Sequence, residues 1–329
     1  MTTNGAQGRV CVAVSIDTEE DNWGSYAQAG ETTRNIAHLI ELQDLFDRRG
    51  ARPIYLVNRA PLLERAAVDV LGRVAARAGV EIGAHCHPWN TPPFTGASAE
   101  RSMMAGLSDA ENRGKIQEVG ARMHSELGVR PRVFRAGRWG FGPSVARALV
   151  QEGYAIDTSV TPFMDWRNAG GPDYGDAPNE PYRFDPEAPL VPAPSGALVE
   201  LPTTVGFLGD RDFRRAARMR RDLEAGRLTR KFVGPFDRLG FFAKRWLSPE
   251  NSTADTMIRL AESCVAVGQE YLQVTFHSSA LLPGATPFVR TQDDRTEFLR
   301  RLDGFLAHCV ASGYIFLTLS EIEARLFAR

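Results

Sequence analysis

Short apolar runs alternate along the chain with longer segments in which apolar residues recur every three or four positions. The runs predict strands at residues 10–16, 53–57, 80–84, 132–134, 154–159, 198–201, 271–276 and 315–318. The periodic segments predict helices at residues 32–49, 61–78, 109–127, 143–152, 253–267, 294–312 and 320–327. Strand–helix alternation over this length favours a parallel sheet with helices outside it, and about seven or eight strands favour a closed or nearly closed barrel.

Residues 207–250 interrupt this alternation and carry an excess of arginine over acidic residues. We expect them to form a helical insertion or cap within a single barrel domain that spans residues 1–329. The arginines would suit an anionic substrate, such as a sugar nucleotide or a lipid-linked sugar. The segment also contains aromatic residues that would suit contact with a membrane surface, namely Phe236, Phe241, Phe242 and Trp246.

Composition and charge narrow the class of protein. The chain has 329 residues, of which 43% are hydrophobic, enough to bury a barrel-sized core. The formal net charge of −1 provides no overall field that would attract nucleic acid. The four cysteines are scattered and form no CxxC pair, and no stretch approaches the roughly 20 apolar residues of a membrane span. With a polar N-terminal segment, these features favour a cytoplasmic protein.

Side chains that can transfer protons or bind metals lie at the ends of several predicted strands. They are, in chain order, Asp17, Glu19, Asp21, His85, His87, Arg135, Asp157 and His277. Active-site residues of parallel barrels collect at the C-terminal ends of the strands, so we expect these side chains to converge on one edge of the barrel. Because side chains alternate along a strand, His85 and His87 should point the same way and Cys86 should point away.

This set of residues suits metal-assisted hydrolysis of an amide or an ester. Two histidines and one carboxylate form a common ligand set for a catalytic metal that keeps one position open for water. A second carboxylate can act as a general base, a separate histidine can protonate a leaving group, and an arginine can keep a carboxylate ionised. The GxSxG, GxGxxG and GxxxxGK[ST] motifs are all missing from the sequence, so serine-hydrolase and nucleotide-binding interpretations lack their usual signals.

Four segments, in this order, resemble motifs of the polysaccharide deacetylase family, the NodB-homology carbohydrate esterases. They are Ser15-Ile16-Asp17, Glu81-Ile82-Gly83-Ala84-His85, Phe134-Arg135-Ala136-Gly137 and Val274-Thr275-Phe276-His277-Ser278. The resemblance implies a distorted (β/α) barrel of about seven parallel strands.

The resemblance also implies a role for each matching residue. Asp17 would be the general base, and Arg135 would orient it. His85 and His87 would hold the metal. His277 would be the general acid, and Asp165-Trp166 would correspond to the motif that supports this histidine.

Two departures from the family pattern concern the metal. The family usually has a second aspartate next to the first, and here that position is Thr18. Either Glu19 or Asp21 could supply the missing carboxylate ligand, and Glu19 is preferred because it would lie on the same side of the strand as Asp17. The histidines are two residues apart, whereas the family spacing is four. The metal expected is Zn²⁺, while Ni²⁺, Co²⁺ and Fe²⁺ also tolerate such a ligand set.

The sequence thus predicts a metal-dependent hydrolase that removes an N-acetyl group from an acetamido sugar, a glycoconjugate or a related small amide. Two alternatives stay open. A metal-independent hydrolase of cyclic amides or formyl groups on the same fold is kept open by Thr18. A barrel that only binds glycans is opposed by the combination of Asp17, Arg135 and His277, since a binding protein needs no base and acid together.

Overall fold

The structure is a computed structural model that describes residues 10–28, 30–94, 96, 98, 101–226, 231, 233–238 and 242–327. For residues 236–238 it describes the backbone alone. Two of the aromatic residues expected to contact a membrane, Phe241 and the side chain of Phe236, therefore lie outside the described part. Within that part, none of the helices has both the length and the apolar character needed to cross a bilayer.

The chain alternates strands and helices as the hydrophobic pattern predicts. The strands are β1 (Cys11–Thr18), β2 (Pro53–Val57), β3 (Glu81–Cys86), β4 (Val133–Ala136), β5 (Ile156–Asp157), β6 (Tyr182–Phe184), β7 (Leu198–Glu200), β8 (Val205–Phe207), β9 (Lys244–Trp246), β10 (Tyr271–His277) and β11 (Ile315–Phe316). The α-helices are α1 (Leu39–Arg49), α2 (Arg65–Ala75), α3 (Asp109–Leu127), α4 (Pro143–Gln151), α5 (Phe213–Ala225), α6 (Val233–Arg238), α7 (Ala254–Ala266), α8 (Gln292–Ala311) and α9 (Leu319–Phe327).

One large sheet runs in the order β10-β1-β2-β3-β4-β5-β7-β6, and β11 pairs with the start of β1. All of its pairs are parallel except β6 with β7. The predicted α/β fold with a distorted barrel is confirmed, in the form of a curled and mostly parallel sheet. β6 and β10 end the sheet, so the barrel is open where the sequence pattern favoured a closed or nearly closed one.

Alternation along β1 separates the outer core from the inside of the curled sheet. Val12, Val14 and Ile16 belong to the large apolar cluster that packs against the helices. Cys11 and Ala13 belong to a second apolar cluster on the other face of the strand. Ser15 and Asp17 continue this second face toward the C-terminal end of β1, where apolar side chains give way to polar ones. Asp17 therefore lies at the open end of the barrel, and the earlier residues on the same face of β1 are packed in an apolar cluster.

Local signals define the helix ends near the site. α1 ends at Gly50, whose φ of 67° gives the left-handed cap that the sequence predicts. α3 begins with a capping box in which Ser108 and Glu111 each bond the other's backbone, and it ends at Gly128 in the same left-handed conformation.

The stretch of residues 207–250 contains α5 and α6 between β8 and β9, which pair with each other in an antiparallel sheet. Phe242 packs against the main core, and the Trp246 ring lies 5.0 Å from the Trp139 ring. These two aromatic residues therefore help to pack the segment onto the barrel.

Candidate metal and active site

A cavity of about 300 Å³ opens at the C-terminal ends of the strands. The alternating pattern directs Asp17 of β1 and His277 of β10 to it, and these residues are direct neighbours in the strand pairing. In the same way, His85 of β3 is paired with Arg135 of β4. The described residues that line the cavity are Asp17, Glu19, Glu20, Asn22, Trp23, Gly24, Tyr26, His85, His87, Trp89, Met103, Arg138, Trp139, Trp166 and His277.

Glu19, His85 and His87 form a buried group that could hold a metal ion. The Nε2 atoms of the two histidines lie 2.9 Å apart. Glu19 Oε2 lies 3.5 Å from His85 Nε2 and 3.2 Å from His87 Nε2. One potential ligand atom from each residue thus points to a common centre, as the histidine alternation and the choice of Glu19 predict.

The second ring nitrogen of each histidine, Nδ1, lies within hydrogen-bonding distance of an oxygen atom on the side away from the centre. His85 Nδ1 lies 3.0 Å from the backbone oxygen of Arg135, and His87 Nδ1 lies 2.7 Å from Glu20 Oε1. Asn58 Nδ2 also lies 3.1 Å from His87 Nδ1, but the Glu20 carboxylate is closer and charged. An acceptor is thus the nearest neighbour of each Nδ1, and a hydrogen on Nδ1 satisfies it and leaves the Nε2 lone pair directed at the centre. Such anchoring is usual for histidines that bind metals, and two facing lone pairs need a cation or a proton between them. The donor set therefore fits a divalent metal.

The charges of this group favour a cation. Burial opposes the ionisation of Glu19, but the field of His277 and hydrogen bonds with His85 and His87 outweigh it and hold the pKa of Glu19 well below its usual range. Burial also favours a neutral His87, but the carboxylates of Glu20 and Glu19 outweigh it and raise the pKa of His87 well above its usual value. A metal ion and a proton would therefore compete for this histidine.

Asp21, the other candidate ligand from the sequence, is not brought to this centre. Its carboxylate accepts hydrogen bonds from the backbone N–H groups of Arg34 and Asn35, from Thr32 Oγ1 and from Asn35 Nδ2. These bonds fasten the loop after β1 to the start of the segment that leads into α1. Asp21 thus has a structural environment, and Glu19 is the carboxylate that faces the histidines.

Asp17 and Arg135 form a buried ion pair beside the metal-binding group. Arg135 Nη1 donates to Asp17 Oδ1 at 2.5 Å. The rest of the guanidinium is fixed by Thr275 Oγ1, Ser15 Oγ and the backbone oxygen of Thr158, each at 2.9 Å. The guanidinium of Arg135 is therefore held by hydrogen bonds on all three nitrogens, one of which also contacts the Asp17 carboxylate.

His277 faces the other oxygen of Asp17, with its Nε2 atom 3.7 Å from Asp17 Oδ2. Its Nδ1 atom lies 3.1 Å from Glu250 Oε1, which also accepts the backbone N–H of His277 at 3.0 Å. Burial favours the neutral ring, but the carboxylates of Glu250, Glu19 and Asp17 outweigh it and raise the pKa of His277 to about 10. The surrounding carboxylates therefore favour the protonated form of this ring.

The carboxylate that supports His277 differs from the one expected. Asp165 instead forms an exposed ion pair with Arg167, while Trp166 lines the cavity. Glu250 follows β9, and its role could not be recognised from the sequence because it matches no motif.

Glu20 was also missed by sequence reasoning, although it follows Glu19 directly. Asn58, after β2, donates to Glu20 Oε2 at 2.5 Å and so helps to hold the carboxylate behind His87. The available signal was a run of three acidic residues, Glu19 to Asp21, at the end of a buried strand.

Aromatic rings enclose the cavity. The Trp89 ring stacks on His87 with centroids 4.1 Å apart, and the Trp23 ring meets His277 edge-on at 4.7 Å. Trp139 lies under the guanidinium of Arg135, 5.1 Å from it. Flat apolar walls beside a polar centre are suited to a sugar ring or to another small molecule that has both apolar and polar faces.

No protein-family model and no curated protein matches this sequence. Solved structures share its fold. A candidate polysaccharide deacetylase from Mycobacterium smegmatis is 16% identical, with a TM-score of 0.57, and the match covers 100% of this chain and 93% of that chain. A candidate glycoside hydrolase or deacetylase from Parabacteroides distasonis is 14% identical, with a TM-score of 0.60, over 96% of this chain and 71% of that chain.

A third structure with this fold belongs to an enzyme of a different kind. It is a GH57-type branching enzyme from Pyrococcus horikoshii, 9% identical, with a TM-score of 0.54 over 98% of this chain and 71% of that chain. At such identities the likeness establishes the fold and not the reaction. The chain has the fold found in polysaccharide deacetylase structures, as the motif resemblance implied.

Proposed function

We propose that this protein is a metal-dependent hydrolase that removes an N-acetyl group from an acetamido sugar or a related small amide. One observation carries the proposal: a potential metal-binding group, the Asp17 carboxylate held by Arg135 and the His277 ring line the same cavity. Solved structures described as candidate deacetylases have the same fold, so the fold is compatible with this reaction. Zn²⁺ is the metal we favour, with Ni²⁺, Co²⁺ and Fe²⁺ as alternatives.

Each part of the site has a defined task in this proposal. A divalent cation held by Glu19, His85 and His87 would supply Lewis acidity, which lowers the pKa of a water molecule and polarises an acyl carbonyl. Asp17 accepts the proton of the attacking water through Oδ2, because Oδ1 is held by Arg135. The aromatic walls keep bulk water away from the reacting groups.

His277 completes the reaction as the general acid. Its Nδ1 atom is anchored on Glu250, so the proton on Nε2 is directed toward Asp17 and the cavity. Transfer of this proton to the amine nitrogen lets the C–N bond break without release of an unstable amide anion. Acetate and a free amine are the products.

Metal content and acetate release test the proposal together. The purified protein should contain close to one equivalent of a transition metal, and metal removal should abolish acetate release from acetamido sugars until the metal is restored. His85→Ala should lose both metal and activity, whereas His124→Ala, which changes an exposed histidine on α3, should retain both.

Full activity in metal-free protein would overturn the metal-dependent mechanism and favour the metal-independent hydrolase. Tight binding of acetamido sugars without any acetate release, by metal-loaded protein, would favour a barrel that only binds glycans.

A further inference from the structure

The cavity contains an arginine, Arg138, for which the proposed hydrolysis has no use. Arg138 follows β4 and lines the cavity together with Glu19, Glu20 and His87. Arg135, which lies within β4, instead donates its hydrogen bonds to Asp17, Thr275 and Ser15. The two arginines thus have different environments, and only Arg138 faces the space that a substrate would fill.

The backbone holds Arg138 beside the metal-binding group. A Cβ atom on Gly137 would lie 2.6 Å from both His87 Cδ2 and the backbone oxygen of Cys86, so the chain here packs directly against His87. Arg138 and Trp139 then adopt positive φ angles of 54° and 62°. Residues other than glycine rarely adopt this left-handed backbone conformation. Such strained residues cluster at functional sites, where the strain can fix the direction of a side chain.

The guanidinium of Arg138 retains donors that a ligand could use. It donates to Ser102 Oγ, and its carbon lies 5.2 Å from the centre of the Tyr26 ring. No carboxylate among the described residues forms an ion pair with it, although Glu19 and Glu20 line the same cavity. An arginine has five N–H donors in a planar fork, and an anion in a partly enclosed space is its preferred partner.

We propose that the substrate carries a carboxylate that binds Arg138 while its acetamido group lies at the Glu19–His85–His87 centre. This inference rests on the proposed deacetylase function and specifies its substrate class. The cavity of about 300 Å³ accommodates one ring-sized unit between its aromatic walls. A singly charged carboxylate suits a space that already contains the carboxylates of Asp17, Glu19 and Glu20 better than a doubly charged phosphate does. An acetamido sugar acid and an N-acetyl amino acid share this chemistry.

Four compounds, assayed with the metal-loaded protein, distinguish an acetamido sugar acid from an N-acetyl amino acid as the substrate. Three have the same ring: 2-acetamido-2-deoxyglucose, its 6-carboxylate and its 6-phosphate. The fourth is N-acetylalanine. We expect kcat/KM for acetate release from the sugar carboxylate or N-acetylalanine to exceed that of the neutral sugar by roughly 10- to 100-fold.

The Arg138→Met variant should reduce this ratio of kcat/KM values to near one, while Arg138→Lys should retain part of it. The control is Arg113→Met, which removes an exposed arginine paired with Glu152 on the surface and should leave the ratio unchanged. Thermal unfolding of each variant checks that it is folded.

Three results would overturn the inference. One is an equal kcat/KM for the neutral and carboxylate compounds, another is a preference for the phosphate, and the third is an unchanged ratio in Arg138→Met. If no compound is hydrolysed, the deacetylase proposal fails, and calorimetric titration of the same compounds still tests recognition. Equal binding of the neutral sugar and the carboxylates would then refute the role of Arg138.

Discussion

Two pairs of carboxyl groups are buried at strand ends in this protein, and they have opposite electrostatic character. Glu19 and Glu20 follow β1, whereas Asp157 and Glu200 are neighbours in the pairing of β5 with β7. At the first pair, histidines outweigh the cost of burial and lower the pKa of both carboxyl groups. At the second, burial dominates, raising the pKa of Asp157 to about 6 and that of Glu200 well above its usual range.

The difference shows that burial of an acidic residue does not by itself indicate a catalytic site. Glu19 and Glu20 keep their charge because His85, His87 and His277 surround them. Among the described residues, Asp157 accepts hydrogen bonds from Ser159 and lies beside Glu200, and the positive field of Arg135 offsets only part of the effect of burial. Glu200 Oε2 accepts no hydrogen bond from a described donor. This pattern fits a protonated Glu200 that donates to an ionised Asp157. The first pair keeps two negative charges and can attract a cation, while the second holds a proton between its carboxyl groups and carries a single charge.

Neutralising one carboxylate in each pair should give the largest difference between them. Glu19→Gln should reduce metal content strongly and lower kcat/KM by roughly a thousandfold or more, because a ligand and the Lewis acidity that it supports are lost. Glu200→Gln, also a buried change at a strand end, should retain the metal. Metal analysis and acetate release measure both.

Asp21→Asn adds a second control from the same acidic run. It should leave metal content unchanged while weakening the loop that Asp21 fastens. Metal loss in Asp21→Asn with retention in Glu19→Gln would mean that the ligand has been assigned to the wrong carboxylate.

A smaller effect is expected at Glu250, which gives His277 the same kind of carboxylate support that Glu20 gives His87. A general acid works only while protonated, so activity should fall as pH rises through the pKa of His277, which is about 10. Glu250→Gln removes the largest influence that raises this pKa. The alkaline loss of activity should therefore begin at lower pH, and kcat near neutral pH should fall by roughly tenfold.

A pH profile of kcat for wild type and Glu250→Gln measures this shift. Identical alkaline limbs would show that Glu250 has only a structural role. A profile displaced to higher pH would contradict the assignment of His277 as the acid.

The sequence predicted the residues whose direction follows from strand alternation. Asp17 of β1 and Glu19, which directly follows the strand, line the same cavity. The hydroxyl of Thr18, between them, donates to the backbone oxygen of Ile16. Thr18 does not line the cavity, and Glu19 is the carboxylate that lies beside the histidines. His85 and His87 also follow strand alternation.

Residues outside this regular pattern could not be predicted. Glu250 reaches His277 from the end of an insertion, and no periodicity relates the two. Asp157 shows the opposite error: it lies at a strand end, as expected of an active-site residue, yet it does not line the cavity. A sequence does not reveal which of several buried carboxyl groups will have cationic neighbours, because that depends on contacts between distant segments.

The smallest predicted effect concerns the stability of the second pair. Folding raises the pKa of Glu200, so the unfolded chain loses this proton near pH 4.3 while the folded protein retains it. Wild-type stability from this group is therefore fully present below the unfolded pKa and declines as pH rises toward the folded pKa. Glutamine is uncharged at every pH, as the protonated acid is, so the Glu200→Gln variant should not lose this stability as pH rises. Its free energy of unfolding should be close to that of wild type near pH 4 and exceed it at pH 8. Urea unfolding at the two pH values measures the difference, and a variant that is less stable than wild type at pH 8 would show that Glu200 is ionised in the folded protein.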